Sequence, residues 1–361
     1  MTDRLFIEAE DVWLFRDGKP FTRGGDHAAH SIFPPFPTVI QGAIRSKELG
    51  LKLVDLGDKD AIIRAVGTAT DFANLRLRGP YLAEWDEPGR SVHRYFPVPA
   101  DAVSLDTNEH TVRRASLPQV PPEGAASNYP LPMMIGLDEA LTKGESGLWL
   151  NDEDLERYFA GEKVRATPAD QLFKREMREG IAIDRALKRS EDGMLYQADF
   201  IRTKAGIGLA VDFVGYTGWP TSGLLQLGGE SRPARYSMIT VNEEERIPNP
   251  LPPKFFLYFT TPTYFKDGWK PDVNKYFTGK VEIAAAAVGR PSIVAGFDMT
   301  ASRDSADIHR SGKRFVPAGS VYYFTTDGPA SLRENLIQSA ITDYAPEIGF
   351  GQIILKEWKN V

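Results

Sequence analysis

The sequence predicts an α+β protein built from short antiparallel strands with a few helices, arranged as two units. Three observations carry this. Runs of β-branched and aromatic residues bounded by Gly, Pro and Asp-Gly recur along the whole chain. Segments with a helical apolar period fall between them. One acidic and then proline-rich stretch, "NEEERIPNPLPPK" (242–254), has little to bury, and after it the pattern restarts.

In chain order, "RLFIEAEDVWLFRDGKPF" (4–21) reads as a strand and its exit, turning at Asp17-Gly18. "SIFPPFPTVIQGAIRSKEL" (31–49) switches to a helix, with Thr38 as N-cap and Gln41 completing a capping box. Its buried face is Val39, Ile40, Ala43 and Ile44; Gln41, Arg45 and Glu48 share the opposite face. "NLRLRGPYLAEW" (74–85) is a strand, and 97–132, rich in proline and small residues, an irregular surface insertion. "NDEDLERYFAG" (151–161) is a short helix capped by Asn151, with acids in its first turn. "GIAIDRALKRSEDGMLYQADFIRTK" (180–204) is a long hairpin turning at Glu191-Asp192-Gly193, with imperfect alternation that suits a projecting arm. "TSGLLQLGG" (221–229) is a further strand. Past the linker, 255–262, 281–289, 292–299, 319–328 and 348–358 read as strands and 270–277 as a short helix. Ser331 and Glu334 cap a second helix burying Leu332, Leu336, Ile337, Ala340 and Ile341. This order is close to β-α-β-β-α-β, the ferredoxin-like unit, and the N-terminal half fits the same plan with insertions. The expected division is 1–241, a linker at 242–254, and 255–361.

The 361 residues suit two domains. A net charge of −6 gives no global pull toward nucleic acid, so any such site must be a local patch. The absence of cysteine excludes disulfides, thiolate metal sites and a cysteine nucleophile. The N-terminal stretch lacks a signal-peptide pattern, and no apolar run approaches the roughly 20 residues of a membrane span. The expectation is a soluble cytoplasmic protein with no membrane partner.

Evidence for catalysis is thin. His27 and His30 lie three apart, a ligand spacing on a helix, but they precede "FPPFP", which cannot be helical, and no carboxylate-rich partner segment accompanies them. "RGGDH" (23–27) resembles the Gly-Gly-Asp turn of nucleotide cyclases, without a second metal carboxylate. No nucleophile elbow, Walker A run or dinucleotide fingerprint appears. No catalytic residue, metal or cofactor is expected.

Basic patches say more. Residues 13–47, with Arg16, Lys19, Arg23, Arg45 and Lys47, carry a net +3; 185–204, with Arg185, Lys188, Arg189, Arg202 and Lys204, and 302–316 each carry +2. Each patch alone reads as a solvated face, but side by side they would make one basic track. "LGGESRPARY" (227–236) sets Gly228 and Gly229 beside Arg232 and Arg235, so that backbone N–H groups and guanidinium forks could meet phosphates together. Tyr196, Phe200 and Tyr236 could stack on splayed bases or belong to the core.

"WLFRDGKPF", "HSIFPPFPTVIQGAIRS", "GIAIDRALKRSEDGMLYQADFIR", "LQLGGESRPARY", "FFLYFTTPT", "RPSIVAGFDM" and "PAGSVYYF", in this order, resemble the third-subunit family of the Cmr complex, the type III-B CRISPR effector, within the RAMP superfamily. The resemblance spans roughly residues 5–358 and fails mainly at 97–132. It implies two ferredoxin-like (RRM-like) domains with a projecting β-hairpin and a proline-rich insertion. It implies a non-catalytic subunit that binds and caps the 5′ handle of the CRISPR RNA (crRNA). The partners it implies are the large polymerase-like subunit and backbone RAMP subunits, with target RNA met indirectly through guide pairing. Carried over by motif, Ser31 and Arg45 lie where the first helix and its preceding loop meet RNA, with Arg16 and His30 beside them. Arg185, Lys188 and Arg189 sit on the hairpin, and Gly228, Gly229, Arg232 and Arg235 form a phosphate cradle. "GFGQIILKEW" carries fewer glycines than the family's C-terminal loop and reads as a strand. The alternative is a RAMP-type endoribonuclease that processes precursor crRNA, with His27 or His30 as general acid/base.

Overall fold

A computed structural model describes residues 2–16, 28–86, 91–121, 129–136, 145–184, 189–241, 247–297 and 309–358. Strands dominate. The first sheet holds β1 (Thr2–Ala9), β2 (Arg76–Asp86), β3 (Ser91–Pro97), β4 (Leu148–Asn151), β5 (Thr167–Pro168), β8 (Ile207–Val214), β9 (Ser222–Gln226) and β10 (Pro233–Val241). Their spatial order is β5-β4-β3-β2-β8-β1-β10-β9. Between β5 and β8 the chain makes the hairpin β6 (Phe173–Asp184) and β7 (Arg189–Thr203), which forms its own small sheet with Ala28–Ala29. The second sheet holds β11 (Lys254–Phe259), β12 (Val281–Ala287), β15 (Val321–Thr326) and β16 (Ile353–Glu357) in the order β12-β15-β11-β16. A second hairpin, β13 (Ser292–Phe297) and β14 (His309–Phe315), is inserted before β15.

Four adjacent strands of the first sheet, β2-β8-β1-β10, and the four of the second follow one rule: in each set the strands, counted along the chain, lie in the order second, third, first, fourth. All neighbours in both sets are antiparallel. The sheets share a core. Phe6, Tyr81 and Phe96 from the first pack in one cluster with Phe256, Tyr258 and Tyr323 from the second.

Helix α1 (Pro37–Leu51) lays Ile40, Ala43 and Ile44 on the first sheet, against Leu5, Leu77 and Val211. It begins one residue before the expected cap: Pro37 occupies the first turn, where its missing N–H costs nothing, and Thr38 is inside the helix. Glu48 is not on an exposed face. It is buried, accepting from the Trp219 indole at 2.7 Å and pairing with Lys52 at 2.7 Å. Helix α2 spans Lys59–Val66. In α3 (Asp152–Phe159) the Asn151 side chain caps the Asp154 N–H at 2.8 Å, as expected.

Three other expectations change. Residues 97–132 are not wholly irregular: Ala102–Asp106 and Thr111–Arg114 form a small sheet with Val164–Arg165. The β6–β7 hairpin does not reverse at Glu191-Asp192-Gly193. Asp184 pairs with Arg189, and those three residues fall in β7 within a register irregularity between the pairs Ile183–Ser190 and Ile181–Leu195. The same residue types that favour a turn also fill a bulge. The helix expected after Ser331 is absent. Ser331–Leu332 pair as a strand with Phe277–Thr278, the Ser331 hydroxyl meets Thr278 at 2.7 Å, and Ile341 N–H donates to Gly351. Tertiary partners take the backbone groups that a helix would have used.

Among the described residues no helix is long and apolar enough to cross a membrane.

Candidate nucleic-acid interface

Residues 11–16, the exit of β1, gather the site. Val12, Trp13, Leu14 and Phe15 are buried, while Asp11 and Arg16 are exposed at either end. Trp13 exchanges backbone hydrogen bonds with Ile201 of β7 at 2.9 and 2.8 Å; Phe15 O accepts from Ile32 at 2.9 Å; Leu14 O accepts from Gly229 at 2.7 Å. One short segment thus ties the hairpin root, the loop before α1 and the glycine loop 228–232 to each other. Arg16 forms a backbone bridge with Ser31, next to exposed His30.

Ser31 itself is interior. It is 4% exposed, its hydroxyl donates to Asp199 O at 2.5 Å and accepts from Phe15 N at 3.2 Å, and Arg175 reaches its carbonyl at 3.0 Å while pairing with the Asp199 carboxylate. Its hydroxyl is therefore committed to the loop and cannot be offered to RNA without breaking that packing.

The hairpin root carries an alternating ion network. Glu176 receives Arg202 at 2.6 Å and Arg178 at 2.7 Å; Asp11 receives Arg202 at 3.0 Å, Arg178 at 3.2 Å and Arg232 at 3.8 Å. Arg232 also pairs with Glu230 at 2.7 Å, and Arg235 takes a two-pronged grip on Glu10 at 3.1 and 3.2 Å. The guanidinium groups of Arg178 and Arg232 lie 4.9 and 5.0 Å from the ring centre of buried Phe200. Hydrogen bonds from Arg202 and Arg178 hold the Glu176 carboxyl down at about 2. Burial acts against ionisation at Asp11, but the same two arginines keep its carboxyl below 3.8. The guanidinium planes are therefore fixed, and an RNA phosphate would exchange with a carboxylate rather than meet a bare cation.

The expected cradle is correspondingly altered. The Gly229 N–H is spent on Leu14, and Arg232 and Arg235 are carboxylate-paired. Gly228 has a structural reason: at φ 85°, ψ −165° it occupies a region open essentially to glycine alone, and a Cβ there would stand 2.6 Å from Leu14 O. Gly228→Ala is expected to cost of order 1–3 kcal/mol for its backbone conformation alone. Gly229→Ala, whose Cβ would meet the flexible Leu14 side chain at 3.3 Å, is expected to cost far less. Urea midpoints of the two variants check this; equal midpoints would refute it.

Phe200 and Tyr236 are core residues, not base platforms. Arg45 stands apart from the root: its guanidinium donates to Gly67 O at 2.8 Å, closing the C-terminal end of α2, and burial lowers its pKa. Arg185, Lys188 and His27 lie outside the described residues, as does the Tyr196 side chain; Arg189 opens β7, its side chain likewise outside. Sequence reasoning passed over Arg175 and Arg178. The signal was available in "KREMRE" (174–179), a charge alternation that places Glu176 and Arg178 on one strand face. Among the described residues no group of three or more His, Asp or Glu side chains could hold a metal ion.

A family model described as CRISPR-associated protein (Cas_Cmr3) matches residues 5–358. That places the chain among the protein components of CRISPR effectors. It belongs to the Cmr3 family, the third subunit of the type III-B Cmr complex. Among solved structures, it is similar to a chain of the Type III-B Cmr-beta complex bound to cognate target RNA and AMPPnP (15% identity, 89% of this chain and 86% of that one, TM-score 0.47). A chain of the same complex bound to cognate target RNA gives 14%, 89%, 86% and 0.45. A chain of the Csm3-Csm4 subcomplex of the type III-A interference complex gives 10%, 93%, 100% and 0.39. No curated protein matches the sequence.

Proposed function

We propose that this subunit binds and caps the 5′ handle of the crRNA within the type III-B Cmr complex, without catalysing a reaction. The observation that carries it is the segment 11–16, which ties the root of the β6–β7 hairpin to the loop before α1 and the glycine loop, with Arg178, Arg202 and Arg232 around Asp11, Arg175 on the other face of the hairpin, and Arg16 bridged to Ser31 beside His30. Carried over by motif, Arg185, Lys188 and Arg189 are proposed as further RNA contacts. Phosphate contacts there fix register, and any reading of handle sequence needs splayed bases. The large polymerase-like subunit docks on this chain, backbone RAMP subunits stack on its other side, and target RNA is met through the guide. The fold behind this is a pair of ferredoxin-like units, 1–241 and 255–361, joined by 242–254; the repeated strand order of the two sheets supports that division.

The test uses complex purified from cells that express the array and all subunits. Arg175→Glu with Arg202→Glu is expected to lower bound guide by about tenfold or more, since hydrogen bonds to charged groups contribute about 1.5–3 kcal/mol each. Subunit stoichiometry stays intact. Guide content equal to wild type would overturn the proposal. In the same preparation, His30→Ala leaves guide length unchanged; accumulated precursor would instead favour the endoribonuclease reading.

A further inference from the structure

Arg175, Arg178, Arg202 and Arg232 at the hairpin root are paired with carboxylates, but a second basic surface is not. In the second unit a pocket of about 480 Å³ opens between the loop after Phe265, the end of β12 and the β13–β14 hairpin. Trp269, Tyr129, Val288 and Pro291 give it flat and apolar walls, Arg314 stands in its lining, and among the described residues no carboxylate lines it. Arg314 and neighbouring Arg290 are exposed, and among the described residues neither side chain makes an ion pair or hydrogen bond. The acid to weigh against them is Asp267, next to Gly268 in the chain. Lys313 is spoken for by Tyr264 and Tyr344, over whose rings it sits at 4.9 and 4.7 Å.

The walls are held before any ligand arrives. The Tyr322 hydroxyl donates to Trp269 O at 2.5 Å, with its ring 6.5 Å behind the indole. The Tyr129 hydroxyl both donates to Ala286 O and accepts from Ala286 N at 3.0 Å. A ligand entering such a site loses little to reorganisation of the protein. The volume is in the range of small-ligand pockets, and the lining suits a planar ring with an anion attached. Aromatic walls beside unpaired arginines are how single-stranded nucleic acid is held without strong sequence preference.

We propose that this pocket takes one unstacked nucleobase of single-stranded RNA, with the adjoining phosphate on Arg314. The proposal rests on the RNA-binding reading and adds a contact in the second unit to the one at the hairpin root.

The experiment measures binding of a 5-iodouridine-substituted single-stranded oligonucleotide by the full chain, followed by crosslink mapping. Crosslinks are expected in the peptides that contain Trp269 or Tyr129. Trp269→Ala should weaken binding by about five- to a hundredfold, the range for losing one base–aromatic stack. Because that variant could disturb folding, Arg314→Glu on the exposed strand is tested beside it. It should weaken binding and lower the salt slope by about 0.7. Arg175→Glu serves as the reference for the hairpin root. If it alone loses binding and no crosslink falls in the pocket, the pocket assignment is overturned and the RNA-binding reading stands. If neither Arg314→Glu nor Arg175→Glu loses binding, both fail. Displacement of the oligonucleotide by a proline-rich peptide but not by unlabelled RNA would assign the pocket to a protein and overturn the proposal.

Discussion

Asp212→Ala is expected to destabilise the protein by about 3–5 kcal/mol, the cost of leaving one partner of a buried ion pair alone. Arg4 is 1% exposed on β1, and Asp212 lies directly across from it on β8. The guanidinium meets the carboxylate as a two-pronged fork, Nε to Oδ1 at 2.5 Å and Nη2 to Oδ2 at 3.1 Å. The pair sits at the centre of the first sheet, where a one-residue slip would turn every β1 side chain to the wrong face and bury the charges without partners. Arg4→Met with Asp212→Leu should therefore recover most of the stability that either truncation loses. Urea unfolding of the single and double variants checks this. The idea fails if Asp212→Ala shifts the midpoint no more than Lys280→Ala, which removes an exposed pair. Because β1 runs on into residues 11–16, the same change should loosen the hairpin root and lower bound guide.

That coupling marks the limit of what the sequence shows. Local patterns were sound where they are local: the buried stripe Ile40, Ala43 and Ile44 on α1, the Asn151 cap, and the strands on either side of the 242–254 stretch. At Ser331 a correct capping pattern lost to a strand partner more than fifty residues away, at Thr278. The site suffered most, because its character is set by pairs remote in sequence. Arg235 and Glu10 are 225 residues apart, and Arg178 and Asp11 are 167 apart. From sequence, Arg232 and Arg235 look like free cations beside two glycines; only folding brings up the acids that neutralise them. Ser31 likewise reads as a loop hydroxyl, and its burial depends on Asp199 across 168 residues. The gathering role of residues 11–16 was invisible because the backbone groups of Trp13, Leu14 and Phe15 carry it, and their apolar side chains give no sign of it.

A buried carboxyl at the junction of the two sheets gives the second large effect. Asp101 is 4% exposed and accepts from Tyr158 of α3 at 2.8 Å and from Tyr323 of β15 at 2.5 Å, so it fastens the insertion to both. Asp101→Ala leaves two buried hydroxyls without an acceptor, at about 1–3 kcal/mol each. The pH dependence separates this role from simple packing. Burial pushes the Asp101 carboxyl above its ordinary 3.8, against the pull of the two hydroxyls and of Arg114. A carboxyl with a raised folded-state pKa binds its proton more tightly in the native state than in the unfolded chain. Its contribution is then most favourable below 3.8 and is lost as pH rises toward the folded-state value. Asp101→Asn keeps the shape and removes the titration. Wild type should therefore lose stability relative to Asp101→Asn as pH climbs from 3.8, while Asp101→Ala stays below the Asn variant at every pH. Parallel pH profiles for wild type and Asp101→Asn would show that the carboxyl ionises as freely inside the protein as in the unfolded chain, and the linkage would be refuted.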